Sequence, residues 1–348
     1  MHTFATPCLA ALSLVCTSLA ADVAYVSDWY CDSIGLEKVS DQTTPLEKFN
    51  WAQLLQYNLQ KRGDTLVLNN LTDKEIETLR APSTTAVIFN NHSVWCGRDL
   101  FQLLPTIHAK KILVCWEPPT VLPQMFDESV WKLYDIILIW DSSRQDNNRV
   151  FHFCYPTLQP IQNPLKPFAE RRLLTQITAN KNFRGPCELY SARKSVNDYF
   201  EANPDLDFTF YGHGWNSAAY HKYGGAVADK LATLQNFKFS ICFENTRNVK
   251  GYITEKIFDC FAAGCVPIYY GAPDIADYIP KNCYIAWEEF GSIEKVYEYV
   301  KNMKQEEYSR YIENIQAFLS SEAGKKFSSE ALVHTILTVL DKKEAVLP

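Results

Sequence analysis

The stretch Phe237-Lys-Phe-Ser-Ile-Cys-Phe-Glu-Asn-Thr-Arg-Asn-Val-Lys-Gly-Tyr-Ile-Thr-Glu-Lys-Ile-Phe-Asp-Cys-Phe-Ala-Ala-Gly-Cys-Val-Pro-Ile-Tyr-Tyr-Gly271 carries one complete structural unit. Residues 237–243 are mostly apolar and aromatic, as a buried strand is. A polar loop follows with Glu244, Asn245, Arg247, Lys250 and Tyr252. Thr254, Glu255 and Lys256 form the first turn of a helix over 254–263, whose apolar stripe is Ile257, Phe258, Phe261 and Ala262. Gly264 can end that helix in a left-handed cap, and residues 266–270 return to a strand pattern. Strand, loop, helix and strand in this order make the repeating unit of a parallel α/β sheet.

The same alternation extends in both directions. Upstream, 23–26, 65–68, 86–89, 112–116 and 136–140 read as strands, and 47–61, 73–80 and 98–104 as helices. Pro156, Pro160, Pro164 and Pro167 then interrupt the chain, so 156–167 reads as a linker. Beyond it, 173–178, 208–211, 237–243, 266–270 and 283–286 read as strands. Residues 188–201, 226–233, 254–263, 293–303, 306–320 and 328–340 read as helices. The division is an N-terminal α/β domain over 22–155 and a C-terminal one over 168–348 that includes the closing helices. Ligands of such sheets bind outside the carboxyl ends of the strands, here in a cleft between the two domains.

The chain has 348 residues, 47% hydrophobic and 14% aromatic, which excludes a disordered polypeptide. A formal net charge of −6 argues against a nucleic-acid partner that depends on a broad basic face. Residues 4–21 contain no charged side chain, and Ser18-Leu19-Ala20 resembles a cleavage site, so 1–21 reads as a signal peptide or, failing cleavage, a signal anchor. Membrane attachment is expected only in the second case, and either places the protein on a secretory or export route. Of 11 cysteines, Cys8 and Cys16 fall in this leader; the odd remainder cannot pair completely, and Cys115, Cys242 and Cys265 lie in apolar runs. Asn70-Leu-Thr72 and Asn91-His-Ser93 are glycosylation sequons in a eukaryotic secretory context.

A helix N-terminus offers unpaired N–H groups and a positive dipole, and Lys256 adds a full charge, so the 244–256 segment suits a diphosphate. Glu255 accepts hydrogen bonds only, which suits sugar hydroxyls. Phe243-Glu-Asn245, Tyr252-Ile-Thr-Glu-Lys256 and Val266-Pro-Ile-Tyr-Tyr-Gly271, in this order, resemble the donor-binding signature of the α-1,3/1,4-fucosyltransferases, glycosyltransferase family 10. The resemblance is strong over 173–280 and weaker over 86–141. It implies a GT-B fold, two Rossmann-like domains facing a cleft, with GDP-fucose as donor, a GlcNAc-containing glycan as acceptor and inversion at the sugar carbon. The matching donor-binding positions are Asn245, Tyr252, Glu255 and Lys256, together with Glu244 in the same motif, Arg193 in Ser191-Ala-Arg193 and Asn180 in Ala179-Asn180. Leu113-Val-Cys-Trp-Glu-Pro-Pro119 resembles the family's Glu-Ser-Pro-type motif, which makes Glu117 the general base; this chain departs from it in having Pro118.

Weaker signals complete the reading. Asn91, His92 and Trp95 end a strand on the side of Glu117 and are acceptor-side candidates, and Asp141 is the alternative carboxylate. Tyr211-Gly-His-Gly-Trp215 places His213 near the cleft, whereas His221 shows no carboxylate partner in the pattern. Asp205-Leu-Asp207 follows Asn203-Pro204 and reads as a turn rather than a metal-diphosphate motif, so no metal cofactor is expected. The alternatives are another nucleotide-sugar transferase of the same fold, or a secreted glycan-binding protein whose active site has decayed.

Overall fold

The computed structural model describes residues 21–26, 50–92 and 98–342. Residues 1–20 of the leader, Cys31, Cys96, Ser93 and the acceptor-side candidate Trp95 lie outside the described residues. Two fully parallel sheets form the frame. The first contains β1 (Asp22–Val26), α1 (Trp51–Lys61), β2 (Thr65–Asn69), α2 (Asp73–Leu79), β3 (Thr84–Asn90) and α3 (Leu100–Leu103). It continues through β4 (Lys110–Cys115), α4 (Glu128–Trp131), β5 (Ile136–Ile139) and β6 (Val150–His152), with strand order β2-β1-β3-β4-β5-β6. Ile112, Leu113, Val114 and Cys115 are all fully buried, as a central parallel strand covered on both faces requires.

The second domain runs β7 (Arg172–Ile177), α5 (Tyr190–Ala202), β8 (Phe208–Tyr211), α6 (Lys230–Leu234), β9 (Phe237–Phe243), α7 (Glu255–Ala262), β10 (Val266–Tyr270) and β11 (Ile285–Ala286). Its strand order is β11-β10-β9-β7-β8. The helices α8 (Ile293–Asn302), α9 (Gln305–Leu319), α10 (Glu322–Lys325) and α11 (Ser329–Asp341) follow. The helix expected over 226–233 begins later, because Asp229 caps it by accepting from the Ala232 N–H at 2.9 Å. The proline-rich segment 156–167 has no helix or strand and lies along the second domain, with Gln162 N–H on the Ala262 carbonyl at 2.8 Å.

The last helix corrects the sequence-based division. α11 was counted with the second domain, yet Leu332, Val333, Ile336 and Val339 belong to the hydrophobic core of the first. Arg62 pairs with Asp341 at 2.8 Å, and Lys110 donates to the carbonyls of Val339 and Leu340. A second tie comes from the loop after β9. The Tyr252 ring packs on Trp140 of the first domain at 5.1 Å between centroids. Gly251 beside it has φ +69, and a Cβ there would lie 2.3 Å from the Trp140 carbonyl oxygen, so only glycine fits without movement. The Tyr252 and Gly251 contacts bring the carboxyl end of β5 against the loop that follows β9, at one seam.

The seven described cysteines are all free thiols, six of them buried, including Cys115, Cys242 and Cys265. Among the described residues, no helix is long and apolar enough to cross a membrane.

Candidate donor and base site

Helix α7 organises the polar side of the seam. Its N-cap Thr254 has no side-chain bond to the first-turn N–H groups. The Thr254 hydroxyl instead donates to Glu244 Oε2 at 2.7 Å, and the Thr254 N–H to Glu244 Oε1 at 2.8 Å. Lys256 Nζ lies 3.1 Å from Glu244 Oε2 and 3.4 Å from Glu255 Oε1. Glu244 is fully buried with both oxygens occupied, so it corrects the sequence reading: it braces Thr254 and Lys256 from below and does not face a ligand. Burial opposes the charge on Lys256, but Glu244 and Glu255 outweigh it and raise the ammonium above its ordinary pKa.

Arg193 projects from α5. The Gln176 side-chain N–H donates to the Arg193 carbonyl at 3.0 Å and to Asn197 Oδ1 at 2.7 Å, which locks that helix turn to β7. Arg193 Nη2 donates to the Phe243 carbonyl at 2.6 Å and to Asn245 Oδ1 at 3.1 Å, and the guanidinium stacks 5.0 Å over Tyr190. Burial lowers its pKa, with Tyr190 and Glu244 opposing, and a guanidinium stays charged throughout. Asn245 Nδ2 in turn donates to the Tyr252 hydroxyl at 3.3 Å. Tyr252 itself is buried in the seam between Trp140 and Tyr155, so it supports Asn245 with its hydroxyl and packs with its ring.

These groups enclose an open cavity of about 420 Å³ lined by Arg193, His213, Lys230, Asn245, Glu255 and Lys256. A cavity of similar volume, about 430 Å³, lies between the linker and α9–α11; it has Glu330 and no cation, which does not suit a diphosphate. Gly212 shapes the first cavity: its φ is +134, and a Cβ there would meet the Thr178 carbonyl oxygen at 2.0 Å. Asn180 is exposed and does not itself line the cavity; its N–H donates to the His213 carbonyl at 2.8 Å and its side-chain amide to the Gly214 carbonyl at 3.1 Å.

Lys230, Lys181 and Tyr190 also line the cavity and were not singled out from sequence. Lys230 Nζ pairs with Asp259 at 2.6 Å. A signal was present, since Glu255 and Asp259 are four apart on one helix, but the cation that meets them comes from a different helix. Burial pushes the half-exposed Glu255 carboxyl upward, while Lys256 and Lys230 together hold it down at about 2. Its ion pairing is therefore present above the ordinary carboxylate range and lost only as pH falls toward about 2, which keeps Glu255 an acceptor at neutral pH.

Glu117 lies just past β4, across the seam. Burial comes first in raising the hydroxyl pKa values of Tyr155, Tyr190 and Tyr252, and the Glu117 charge adds to each, two of these rings belonging to the second domain or lining its cavity. Thr120, three residues on, donates to the Thr246 hydroxyl of the second domain at 2.7 Å. Asn91 Oδ1 accepts from the N–H groups of Trp116 at 2.8 Å and Glu117 at 3.1 Å, so this acceptor-side candidate holds the Glu117 backbone. His92 is a correction: it is buried against Tyr134 at 2.9 Å, and burial lowers its pKa to about 4 despite Asp99. Asp141 accepts from Ser143 and pairs with Arg144 at 3.4 Å within its own turn. Asp207 accepts from the Leu173 N–H at 2.8 Å at the amino end of β7, opposite the cavity. His221 has a partner that its spacing did not show, Glu201 at 2.7 Å.

Residues 183–338 match the family described as glycosyltransferase family 10 (fucosyltransferase), C-terminal part. Mouse 4-galactosyl-N-acetylglucosaminide 3-alpha-L-fucosyltransferase 9 is 35% identical over 223 residues, covering 63% of this chain and 56% of that one. An alpha-(1,3)-fucosyltransferase of Helicobacter pylori is 38% identical over 79 residues, 22% of this chain and 16% of that one. The chain thus spans about half the length, or less, of these curated relatives. In fold it is similar to a crystal structure of an alpha1,3-fucosyltransferase with GDP-fucose, with TM-score 0.53, 17% identity and coverage of 94% of this chain and 93% of that chain. It is also similar to an alpha-glucosyltransferase in complex with UDP and DNA, with TM-score 0.55, 11% identity and coverage of 92% and 100%. These likenesses show the expected GT-B fold of two Rossmann-like domains. Residues 183–338, most of the C-terminal domain, thus carry the match to glycosyltransferase family 10, the family of the fucosyltransferases.

Proposed function

We propose that the protein is an inverting glycosyltransferase that moves L-fucose from GDP-fucose to a hydroxyl of a GlcNAc-containing glycan, in α-1,3 or α-1,4 linkage. The observation that carries this reading is the cavity bounded by Arg193, Asn245, Glu255 and Lys256, with Glu117 across the seam from it. The names of the curated relatives and of the GDP-fucose-bound structural neighbour support the choice of donor and sugar. Glu117 takes the proton of the acceptor hydroxyl as that oxygen attacks the anomeric carbon. The bond from this carbon to the β-phosphate oxygen breaks on the opposite face, and GDP leaves with the electron pair. Arg193, Lys256 and the N-terminus of α7 stabilise the charge that develops on the diphosphate. Glu255 holds sugar hydroxyls of the nucleotide.

The donor is tested by thermal unfolding with nucleotides. GDP at one hundred times its Kd is expected to stabilise the protein by about 2.7 kcal/mol, with UDP and ADP giving less. Equal shifts with all three would instead favour another nucleotide-sugar transferase, the reading that the UDP-bound structural neighbour keeps open. Arg193→Ala is expected to reduce the GDP shift, and Arg193→Lys to restore only part of it, because an ammonium lacks the planar fork.

No metal is needed in this scheme, because side-chain cations and a helix N-terminus carry the diphosphate charge. Transfer is expected to survive EDTA with at most a modest loss; abolition by EDTA and recovery with manganese would disprove this part. The leader is proposed to direct export, with the mature chain starting near Ala21 or Asp22. N-terminal sequencing checks this, and an intact Met1 on membrane-bound protein would show an anchor instead.

A further inference from the structure

The end of β4 is held by side chains where the backbone ladder stops. The last β3–β4 pair is Asn90 with Val114. Beyond it, the Asn91 N–H still donates to the Val114 carbonyl at 2.9 Å, and the chain then turns through Asn91 with φ +60. The Asn91 carboxamide oxygen takes the place of the missing strand, accepting from both Trp116 N–H at 2.8 Å and Glu117 N–H at 3.1 Å. These are the last donors before Pro118 and Pro119, which have no N–H to satisfy and have fixed φ. On the other side, the Tyr155 hydroxyl donates to the Trp116 carbonyl, and the Trp116 indole N–H donates to Asn90 Oδ1. The Trp116 ring packs between Trp51 at 5.6 Å, Phe153 at 5.1 Å and Tyr155 at 5.5 Å.

We propose that Asn91 and Tyr155 are positioning residues that fix the backbone of Glu117 from both sides, so that its carboxylate meets the acceptor hydroxyl in one orientation. The inference rests on Glu117 being the general base. A clamp of this kind matters to rate rather than to donor affinity, because a misplacement of about 1 Å can cost on the order of 100-fold. Tyr155 also touches Tyr252 at 5.9 Å between centroids, so the clamp is seated on the loop that carries Asn245.

The test uses the full chain with GDP-fucose and a GlcNAc-containing acceptor. Asn91→Gly removes the carboxamide while tolerating the positive φ, and Tyr155→Phe removes only the hydroxyl. Each is expected to lower kcat roughly 10-fold to 100-fold, with the KM for GDP-fucose and the thermal shift with GDP unchanged. Asn91→Asp keeps an acceptor oxygen of the same shape and is expected to recover part of kcat. It also moves the acid limb of the rate profile to higher pH, since a second carboxylate disfavours ionisation of the base. In the Glu117→Gln background, Asn91→Gly is expected to cost nothing further. Full kcat in Asn91→Gly, or an equal loss in both backgrounds, would overturn the clamp. Near-normal transfer by Glu117→Gln alone would instead remove the base assignment, and that outcome is read independently of any Asn91 variant.

Discussion

Glu117→Gln is expected to lower transfer by about 10²- to 10⁴-fold, the usual contribution of general-base catalysis. The substitution keeps the length, the backbone and the hydrogen-bonding shape of the side chain, but an amide oxygen cannot take the acceptor proton. The backbone N–H groups that Asn91 holds are unchanged by it. Folding is therefore expected to be normal by thermal unfolding. The GDP shift is also expected to stay, because the proposed diphosphate cradle draws on α5, α7 and the loop between β9 and α7 in the other domain. A loss confined to turnover, with donor affinity intact, separates a base from a donor ligand. Near-normal transfer would require another carboxylate. Asp141 is a poor substitute, since Ser143 and Arg144 already hold it within its own turn.

The fold was legible because parallel strands covered on both faces have little freedom of composition. Ile136–Ile139 is a continuous apolar run and Phe237–Phe243 a mostly apolar and aromatic one, and both are strands. The strand β6 was missed for the opposite reason: it is three residues long, sits at the sheet edge and follows the polar run Asp146–Arg149. The amphipathic pattern of α11 showed that one face is buried, but a pattern has no means of naming the domain that buries it. Within the site, Glu255 and Lys256 could be read from their place in a first helical turn, while Arg193 and Glu117 needed the family resemblance. Sequence did not separate residues that face the cavity from residues that brace it. Glu244 stands next to Asn245 in the motif, yet it points under α7, whereas Lys230 was passed over and lines the wall. His92 follows Asn91 and is buried against Tyr134, because the chain reverses through the left-handed Asn91.

Lys256→Met is expected to damage stability and donor binding together, and the two losses can be separated. The Lys256 ammonium lies 3.1 Å from a carboxylate that is fully buried. Without it, Glu244 keeps the Thr254 N–H and hydroxyl but loses its adjacent counter-charge. Removing one partner of a buried pair costs roughly 3–5 kcal/mol, a large part of the typical 5–15 kcal/mol that holds a protein folded. The thermal midpoint should fall clearly and the GDP shift should vanish. In the parent protein, this stabilisation is fully present below the ordinary lysine pKa and is lost only as pH rises through the higher value that Glu244 and Glu255 impose. Neutralising the partner tests the cause: Glu244→Gln added to Lys256→Met removes the uncompensated charge while leaving Thr254 an acceptor oxygen. The double variant is expected to regain most of the thermal stability and none of the GDP binding, because the cation proposed to face the diphosphate is still missing. If the double variant regained GDP binding as well, Lys256 would be a brace for α7 alone, and Arg193 with the helix N-terminus would have to carry the diphosphate. A Lys256→Met protein as stable as its parent would show instead that water reaches Glu244 and that the pair is not truly buried.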